Sequence, residues 1–244
     1  LTPPTNQMTT DAKCITVSKA GGPEALEYVP QNVDAVELGP KQVLVRNAFA
    51  GVNFIDTYYR TGLYPKALPY VPGDEGSGAI VKVGAEVDAA RLGERVCFFQ
   101  GKGSYSTFCV ADANDAFTVP KDLRDDTAAA MLIQGLTAHY LTRSSFKAGE
   151  GHTVVVHAAA GGTGLLISQI AKLHGARVIG VCGGAAKAAL AKEVGKVDEV
   201  IDYSATPEWE AAVKALAPKG VDCVYDGVGQ STFRKSLSVL RPTG

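Results

Sequence analysis

The stretch VVVHAAAGGTGLLISQIAK (154–172) is an apolar run that gives way to small residues and glycines, then resumes at once with helical spacing. That order is the mark of a buried parallel strand handing over to a crossover helix. Ala159-Ala160-Gly161-Gly162-Thr163-Gly164 fits A-x-G-x-x-G in the strand–turn–helix setting that gives such a pattern meaning. Gly161 and Gly162 let the main chain approach a pyrophosphate, and Gly164 lets the helix pack tightly on the strand. The unpaired amides of the first helical turn, Thr163 included, then face the phosphates at the positive end of the helix dipole. Ala159, where the first glycine usually stands, is compatible with the turn provided its φ stays negative.

Downstream the same alternation continues. A helix is expected over 162–174, then ARVIGVC (176–182) and a helix near 185–194, VDEVIDY (197–203) and a helix near 207–217. GVDCVYDGVG (220–229) follows, with a further helix near 230–240. Apolar strands alternating with helices predict βαβ units and a parallel sheet covered on both faces. The chain stops at LRPTG (240–244), where a helix should hand over to another buried strand, so this α/β domain is read as lacking its C-terminal part.

Upstream, to about residue 120, Gly, Pro, Asn and Asp punctuate short β-rich runs such as 41–53, 76–84, 95–99 and 105–112. This reads as a compact β-rich domain. Residues 124–146 look helical, with Asp125 or Asp126 available as N-cap and Gly135 as the expected break. The domain boundaries drawn from this change are 11–124 and 125–244.

Composition narrows the function. The 244 residues are 46% hydrophobic and carry 24 basic against 25 acidic residues, a net charge of −1. Nothing in that balance favours nucleic acid or a membrane surface, and no apolar run is long enough to span a bilayer. The opening LTPPTNQMTT lacks the apolar core of a signal peptide. Cys14, Cys97, Cys109, Cys182 and Cys223 are scattered and odd in number, which argues against a disulfide framework or structural zinc and for a reducing, cytoplasmic setting. His139, His152, His157 and His174 have no carboxylate or nucleophile at triad-like spacing.

The second strand bears on the choice of dinucleotide. An NAD site carries Asp or Glu about 20 residues beyond the loop, on the ribose 2′-hydroxyl. Here that place falls in VCGGAAK (181–187), which has no carboxylate. Gly183 and Gly184 leave space and Lys187 supplies charge for a 2′-phosphate, which favours NADPH; Tyr203 is placed to pack on the adenosine ribose.

These residues resemble the zinc-free medium-chain dehydrogenase/reductases, most closely the NADPH:quinone oxidoreductases and zeta-crystallins. The matches include GGPEAL (21–26), GVNFIDTYYRTGLYP (51–65), PYVPGDEGSGAIVKVG (69–84), GSYSTF (103–108), QGLTAHYL (134–141), HAAAGGTG (157–164) and VYDGVG (224–229). The resemblance implies a GroES-like catalytic domain plus a Rossmann domain, NADPH in the cleft between them, and a homodimer when the chain is full length. It implies further that Asn53, Phe54, Ile55, Asp56 and Thr57 line the nicotinamide half, with Tyr58 and Tyr64 flanking a quinone. Thr137 and Tyr140 correspond to positions touching the nicotinamide or phosphates, and Val228 to one near the nicotinamide ribose. Zinc relatives carry Gly-His-Glu where this chain has Gly73-Asp74-Glu75, and a cysteine near the place of Asn53, so no catalytic metal is expected.

Bland alternatives stand beside these roles. Phe54 and Ile55 can be core, Asp56 a helix cap, Arg60 a partner for a carboxylate, and only one of Tyr58 and Tyr59 can face a cleft. The expected activity is NADPH-dependent quinone reduction without a metal. Reduction of enone or enoyl C=C bonds, or a non-catalytic nucleotide- or RNA-binding role, are the alternatives.

Overall fold

The computed structural model describes residues 11–244, so the opening LTPPTNQMTT and the expectation attached to it lie outside the described residues. The chain divides into two compact units, one ending at Ile133 and the other formed by Gln134–Gly244.

The first unit opens with an antiparallel ribbon of β1 (Lys13–Val17) and β2 (Leu26–Pro30). β3 (Gln42–Gly51) leads into α1 (Phe54–Arg60), and β4 (Glu75–Val83), β5 (Arg95–Phe98), β6 (Phe108–Asp112) and β7 (Ala116–Thr118) follow. Five of these strands form an antiparallel sheet in the order β6-β3-β4-β5-β7. Its buried face gathers Val43, Val45, Ile80, Val96, Phe98 and Cys109. Fully burying side chains of this size contributes about 1.5–3 kcal/mol each, which fixes the strand register.

α2 (Asp125–Ala129) and α3 (Leu132–Tyr140) replace the single helix expected over 124–146. The break falls at Ala130–Met131 rather than at Gly135, which sits inside α3 with open space where a side chain would be. Its cause is a tertiary contact: the Ile133 amide donates to the buried Glu75 Oε2 at 2.8 Å, so a carboxylate from β4 caps a new helix start. The N-cap of α2 is Arg124 rather than either aspartate. Asp125 is drawn away by the Arg95 guanidinium at 2.7 Å, while Asp126 accepts the Thr127 amide from within the first turn.

The second unit is a four-stranded parallel sheet of β8 (Thr153–His157), β9 (Arg177–Cys182), β10 (Glu199–Asp202) and β11 (Cys223–Tyr225). The order β10-β9-β8-β11 is the 3-2-1-4 order of a doubly wound nucleotide fold. The strands are joined by α4 (Gly162–Leu173), α5 (Ala185–Glu193) and α6 (Trp209–Leu216), and α7 (Phe233–Val239) follows β11. Alternate residues of a strand point to opposite faces. Accordingly Val154 and Val156 pack with Ala171 of α4 and Ala191 of α5, whereas Val155 packs with Trp209 and Val213 of α6 and Val239 of α7. Both faces are thereby covered, as the apolar runs require.

All five cysteines are free thiols, four of them buried. Burial pushes Cys109 up to about 12, which leaves it an inert apolar side chain at neutral pH. No helix among the described residues is long and apolar enough to cross a membrane.

Candidate functional site

In the second unit the candidate residues collect at the carboxyl ends of the parallel strands, where open α/β sheets hold ligands. β8 ends at His157, and Ala158 takes a left-handed φ of +47° that turns the chain. Ala159, the expected site of tolerance, has no positive φ and is fully buried. The Gly161 amide closes the turn on Ala158 O at 2.8 Å, and α4 starts at Gly162. Gly164 is the residue this geometry demands: a Cβ there would sit 2.3 Å from Ala158 O. Gly161 and Gly162 are exposed, so the main chain at the helix start can be approached. The amides of Gly162, Thr163 and Gly164 are first-turn donors without an intrahelical acceptor.

Beside this turn, β9 hands over to α5 through Gly183 and Gly184. Gly184 adopts φ +91° and its amide donates to Asp202 Oδ1 at 2.7 Å, an oxygen that also accepts the Ser204 amide at 2.9 Å. These amide bonds, Gly184 first, hold the Asp202 carboxyl below its ordinary range. Gly183 does not leave its space for a phosphate. A Cβ there would lie 2.5 Å from Tyr203 Cζ, so the glycine makes room for that ring instead. The open side of the turn is at Gly184, with nothing near its would-be Cβ. Lys187 is exposed on the first turn of α5 and makes no ion pair among the described residues. Asp202 was not legible in the sequence as part of this corner, because its bond to Gly184 crosses between neighbouring strands.

At the end of β11, Asp226 organises the loop that carries Val228. Its Oδ1 accepts the amides of Val228 at 2.9 Å and Gly229 at 3.0 Å and the Thr232 hydroxyl at 2.8 Å. Burial raises this carboxyl, but the Ser236 hydroxyl and those donors outweigh it and hold it below the usual range. Val228 is 51% exposed, an apolar side chain presented on a loop fixed from behind. Thr137 and Tyr140 stand three residues apart on α3, the first half-buried and the second exposed.

In the first unit the stretch 53–64 folds as one cluster. The Asn53 amide donates to Asp56 Oδ2 at 2.9 Å, the backbone half of a capping box at the start of α1. Tyr105 donates its phenol to the same oxygen at 2.7 Å, and Asn53 Nδ2 donates to Glu75 Oε1 at 2.9 Å. Asn53, Asp56 and Glu75 are all buried, so these polar side chains act as framework. Burial first, then the Asp56 bond, push the Tyr105 phenol well above its ordinary value, so it stays a donor. Tyr105 stands within GSYSTF (103–108), where no local spacing links it to Asp56; only the folded chain brings the two together.

Phe54 is 75% exposed and therefore not core. Its ring meets Tyr58 edge-on at 5.4 Å, and Tyr58 meets Tyr64 at 5.2 Å. Tyr64 also reaches Tyr59 at 5.8 Å, and Tyr59 is covered in turn by the Lys66 ammonium at 4.7 Å from its centroid. Ile55 and Thr57 are half-buried between these rings in sequence, Thr57 donating back to Phe54 O at 2.6 Å. Among the described residues Arg60 makes no ion pair with a carboxylate; its Nε donates to Gly21 O at 3.3 Å.

Two family models match the chain: "Alcohol dehydrogenase GroES-like domain" over residues 39–143 and "Zinc-binding dehydrogenase" over 162–244. The donor set does not fit the metal in the second name, since no group of three His, Cys, Asp or Glu among the described residues could hold one, and Glu75 is bonded to Asn53 and Ile133. The sequence is similar to that of a quinone oxidoreductase of Pseudomonas aeruginosa, at 40% identity over 235 residues that cover 96% of this chain and 71% of the relative. Among solved structures it is similar to the Pseudomonas syringae pv. Tomato DC3000 quinone oxidoreductase, with TM-score 0.89, 42% identity, and 96% of this chain and 71% of that one covered. It is also similar to the Escherichia coli quinone oxidoreductase complexed with NADPH, with TM-score 0.88, 37% identity, and 94% and 70% covered.

Proposed function

This chain belongs to the medium-chain dehydrogenase/reductase family, among the quinone oxidoreductases, and on that premise we propose that it is an NADPH-dependent quinone reductase working without a metal. The observation that carries the proposal is the turn after β8, where Gly164 lies so close to Ala158 O that the start of α4 presents its amides rather than a side chain. Those amides, of Gly162, Thr163 and Gly164, take the pyrophosphate, and Gly161, whose own amide is spent on Ala158 O, keeps the approach open. Lys187 and the open turn at Gly184 take the 2′-phosphate, with the Tyr203 ring beside the adenosine. Val228 packs at the nicotinamide ribose, and Thr137 and Tyr140 contact the cofactor from α3. NADPH, when bound, supplies the hydride.

In the first unit, Phe54, Tyr58 and Tyr64 make an aromatic wall suited to one face of a flat quinone. Asn53 and Asp56 are positioning residues, since their polar atoms are spent on Glu75, Tyr105 and the start of α1. A quinone is strongly electrophilic, so orientation can suffice without a dedicated strong acid. The tyrosine hydroxyls or water hold the proton that completes reduction. The substrate is a small molecule. We propose a cytoplasmic setting, in keeping with five free thiols, a homodimer when the chain is full length, and no nucleic-acid partner, in keeping with the net charge of −1.

The test is steady-state oxidation of NADPH and NADH across quinones and enones. Turnover of quinones with NADPH preferred is expected. Turnover of enones alone, or no saturable NADPH binding, would overturn the proposal.

A further inference from the structure

His157 is the last residue of β8 and stands one position before the left-handed Ala158. Three fully buried valines precede it, yet the strand ends in a buried imidazole. Such a group is costly in an apolar interior unless it is hydrogen-bonded. The ring packs against Trp209 at near right angles, 4.5 Å between centroids. Its Nε2 lies 3.2 Å from Ser236 Oγ on α7, and that hydroxyl donates to Asp226 Oδ2 at 2.7 Å.

The direction of this chain follows from chemistry. Ser236 has one hydroxyl proton and an ionised carboxylate can only accept, so the proton points at Asp226. The Ser236 oxygen is then an acceptor toward His157, and the imidazole must carry its hydrogen on Nε2. Burial, offset in part by Asp226, lowers the histidine below its ordinary 6.5, in keeping with a neutral ring. The sequence holds His157 and Ser236 79 positions apart, so no local spacing announces the pair.

Asp226 divides its two oxygens between two tasks. Oδ1 gathers the loop 226–232 through Val228, Gly229 and Thr232, while Oδ2 is tied through Ser236 to the residue that starts the dinucleotide turn. β8 and β11 are neighbours in register, with Val156 opposite Tyr225, so the two strand ends lie side by side. A single hydroxyl thus links the segment bearing Val228 to the segment bearing the phosphate amides. An apolar contact would fill the same volume but would not fix the offset between them, because hydrogen bonds are directional and dispersion is not.

We infer that His157, Ser236 and Asp226 form a positioning relay that sets the Val228 loop against the turn at 158–164, and so the ribose end of NADPH against its pyrophosphate. None of the three is among the residues proposed to hold the cofactor. The inference rests on the proposal that this turn holds NADPH. It assigns a task to side chains that the cofactor contacts leave unused.

The experiment compares Ser236→Ala, Ser236→Thr, His157→Leu and His157→Gln with the wild-type chain. Calorimetry gives the NADPH Kd, steady-state kinetics with a quinone follow, and thermal unfolding monitors the fold. Ser236→Ala and His157→Leu are expected to raise the Kd and the KM for NADPH about 10-fold, with kcat at saturating NADPH within twofold of wild type. Ser236→Thr keeps the hydroxyl and His157→Gln keeps a donor, so each is expected to recover most of the loss. A merely structural role would move the melting temperature without this split or rescue. Wild type that fails to bind NADPH overturns the cofactor proposal and the relay with it. Wild type that binds while folded Ser236→Ala binds within twofold overturns the relay alone. If Ser236→Ala does not fold, the His157→Leu and His157→Gln pair decides: equal NADPH affinity for the two overturns the relay.

Discussion

Gly164→Ala tests the dinucleotide turn at its tightest point. The new Cβ would stand 2.3 Å from Ala158 O and 3.0 Å from Ala158 C, both backbone atoms. Ordinary carbon–oxygen contact is roughly 3.3 Å, so the turn or the helix must retreat by about 1 Å. A donor set for a phosphate at about 2.9 Å then stands near 3.9 Å, which is no longer a hydrogen bond. Losing one bond to a charged group costs about 1.5–3 kcal/mol, so the NADPH Kd should rise by roughly 10- to 150-fold. Stability should change less, because overpacking costs about 1–3 kcal/mol while alanine regains about 1 kcal/mol of helix propensity. The net loss of about 1 kcal/mol corresponds to about 2–4 °C in Tm. Gly161→Ala grades the same effect, since its Cβ would lie 3.2 Å from the same oxygen, needs only a small adjustment, and should cost less affinity than Gly164→Ala. Calorimetric titration with NADPH and a thermal melt read both quantities. A folded Gly164→Ala protein with wild-type affinity would refute the claim that these amides grip the pyrophosphate.

Lys187→Ala should weaken NADPH binding about 10-fold while sparing NADH, and an equal loss for both cofactors would remove the ammonium from the 2′-phosphate site. Tyr58→Phe and Tyr64→Phe should each raise the KM for quinone or lower turnover several-fold; unchanged steady-state constants would take both hydroxyls out of the substrate assignment. Asn53→Leu withdraws an amide donor from the buried Glu75 carboxylate, and the urea midpoint should report a loss of about 1.5–3 kcal/mol. The His157 ring has a folded pKa below its unfolded value of about 6.5, so the unfolded chain binds the proton first. Its contribution to stability is therefore present above pH 6.5 and lost as pH falls through the folded value, with a slope of at most about 1.4 kcal/mol per pH unit. His157→Gln should flatten that slope in denaturant titrations at several pH values, and an unchanged slope would place the titration elsewhere.

The parts of this fold that were legible are those whose cause is local. The strand–turn–helix at 154–172 follows from apolar periodicity and from glycines whose necessity is steric, and the parallel sheet follows from runs buried on both faces. The break in the helix pair at 125–140 is not legible locally, because it is set by Glu75, 58 residues from Ile133, and not by the composition around Gly135. Gly183 reads in the sequence as space for a ligand, whereas the ring of Tyr203 occupies that space from the neighbouring strand. Asp202, Tyr105 and the Ser236–His157 contact share one property: each bond joins elements far apart in the chain, where one-dimensional spacing carries no signal. Phe54 was ambiguous in the sequence because an aromatic on a short helix satisfies either a core or a surface, and only its exposure decides.

Ala158 carries a consequence for anyone improving this protein by selection. A left-handed alanine pays roughly 1–2 kcal/mol relative to the right-handed form, a penalty glycine escapes. Glycine would return roughly 0.5–1 kcal/mol of that through the greater freedom of its unfolded chain. The two effects run against each other, so a screen that ranks clones by heat resistance would treat the exchange as nearly silent. A screen for catalytic throughput would not, since the substituted hinge would wander among conformations that the methyl group forbids.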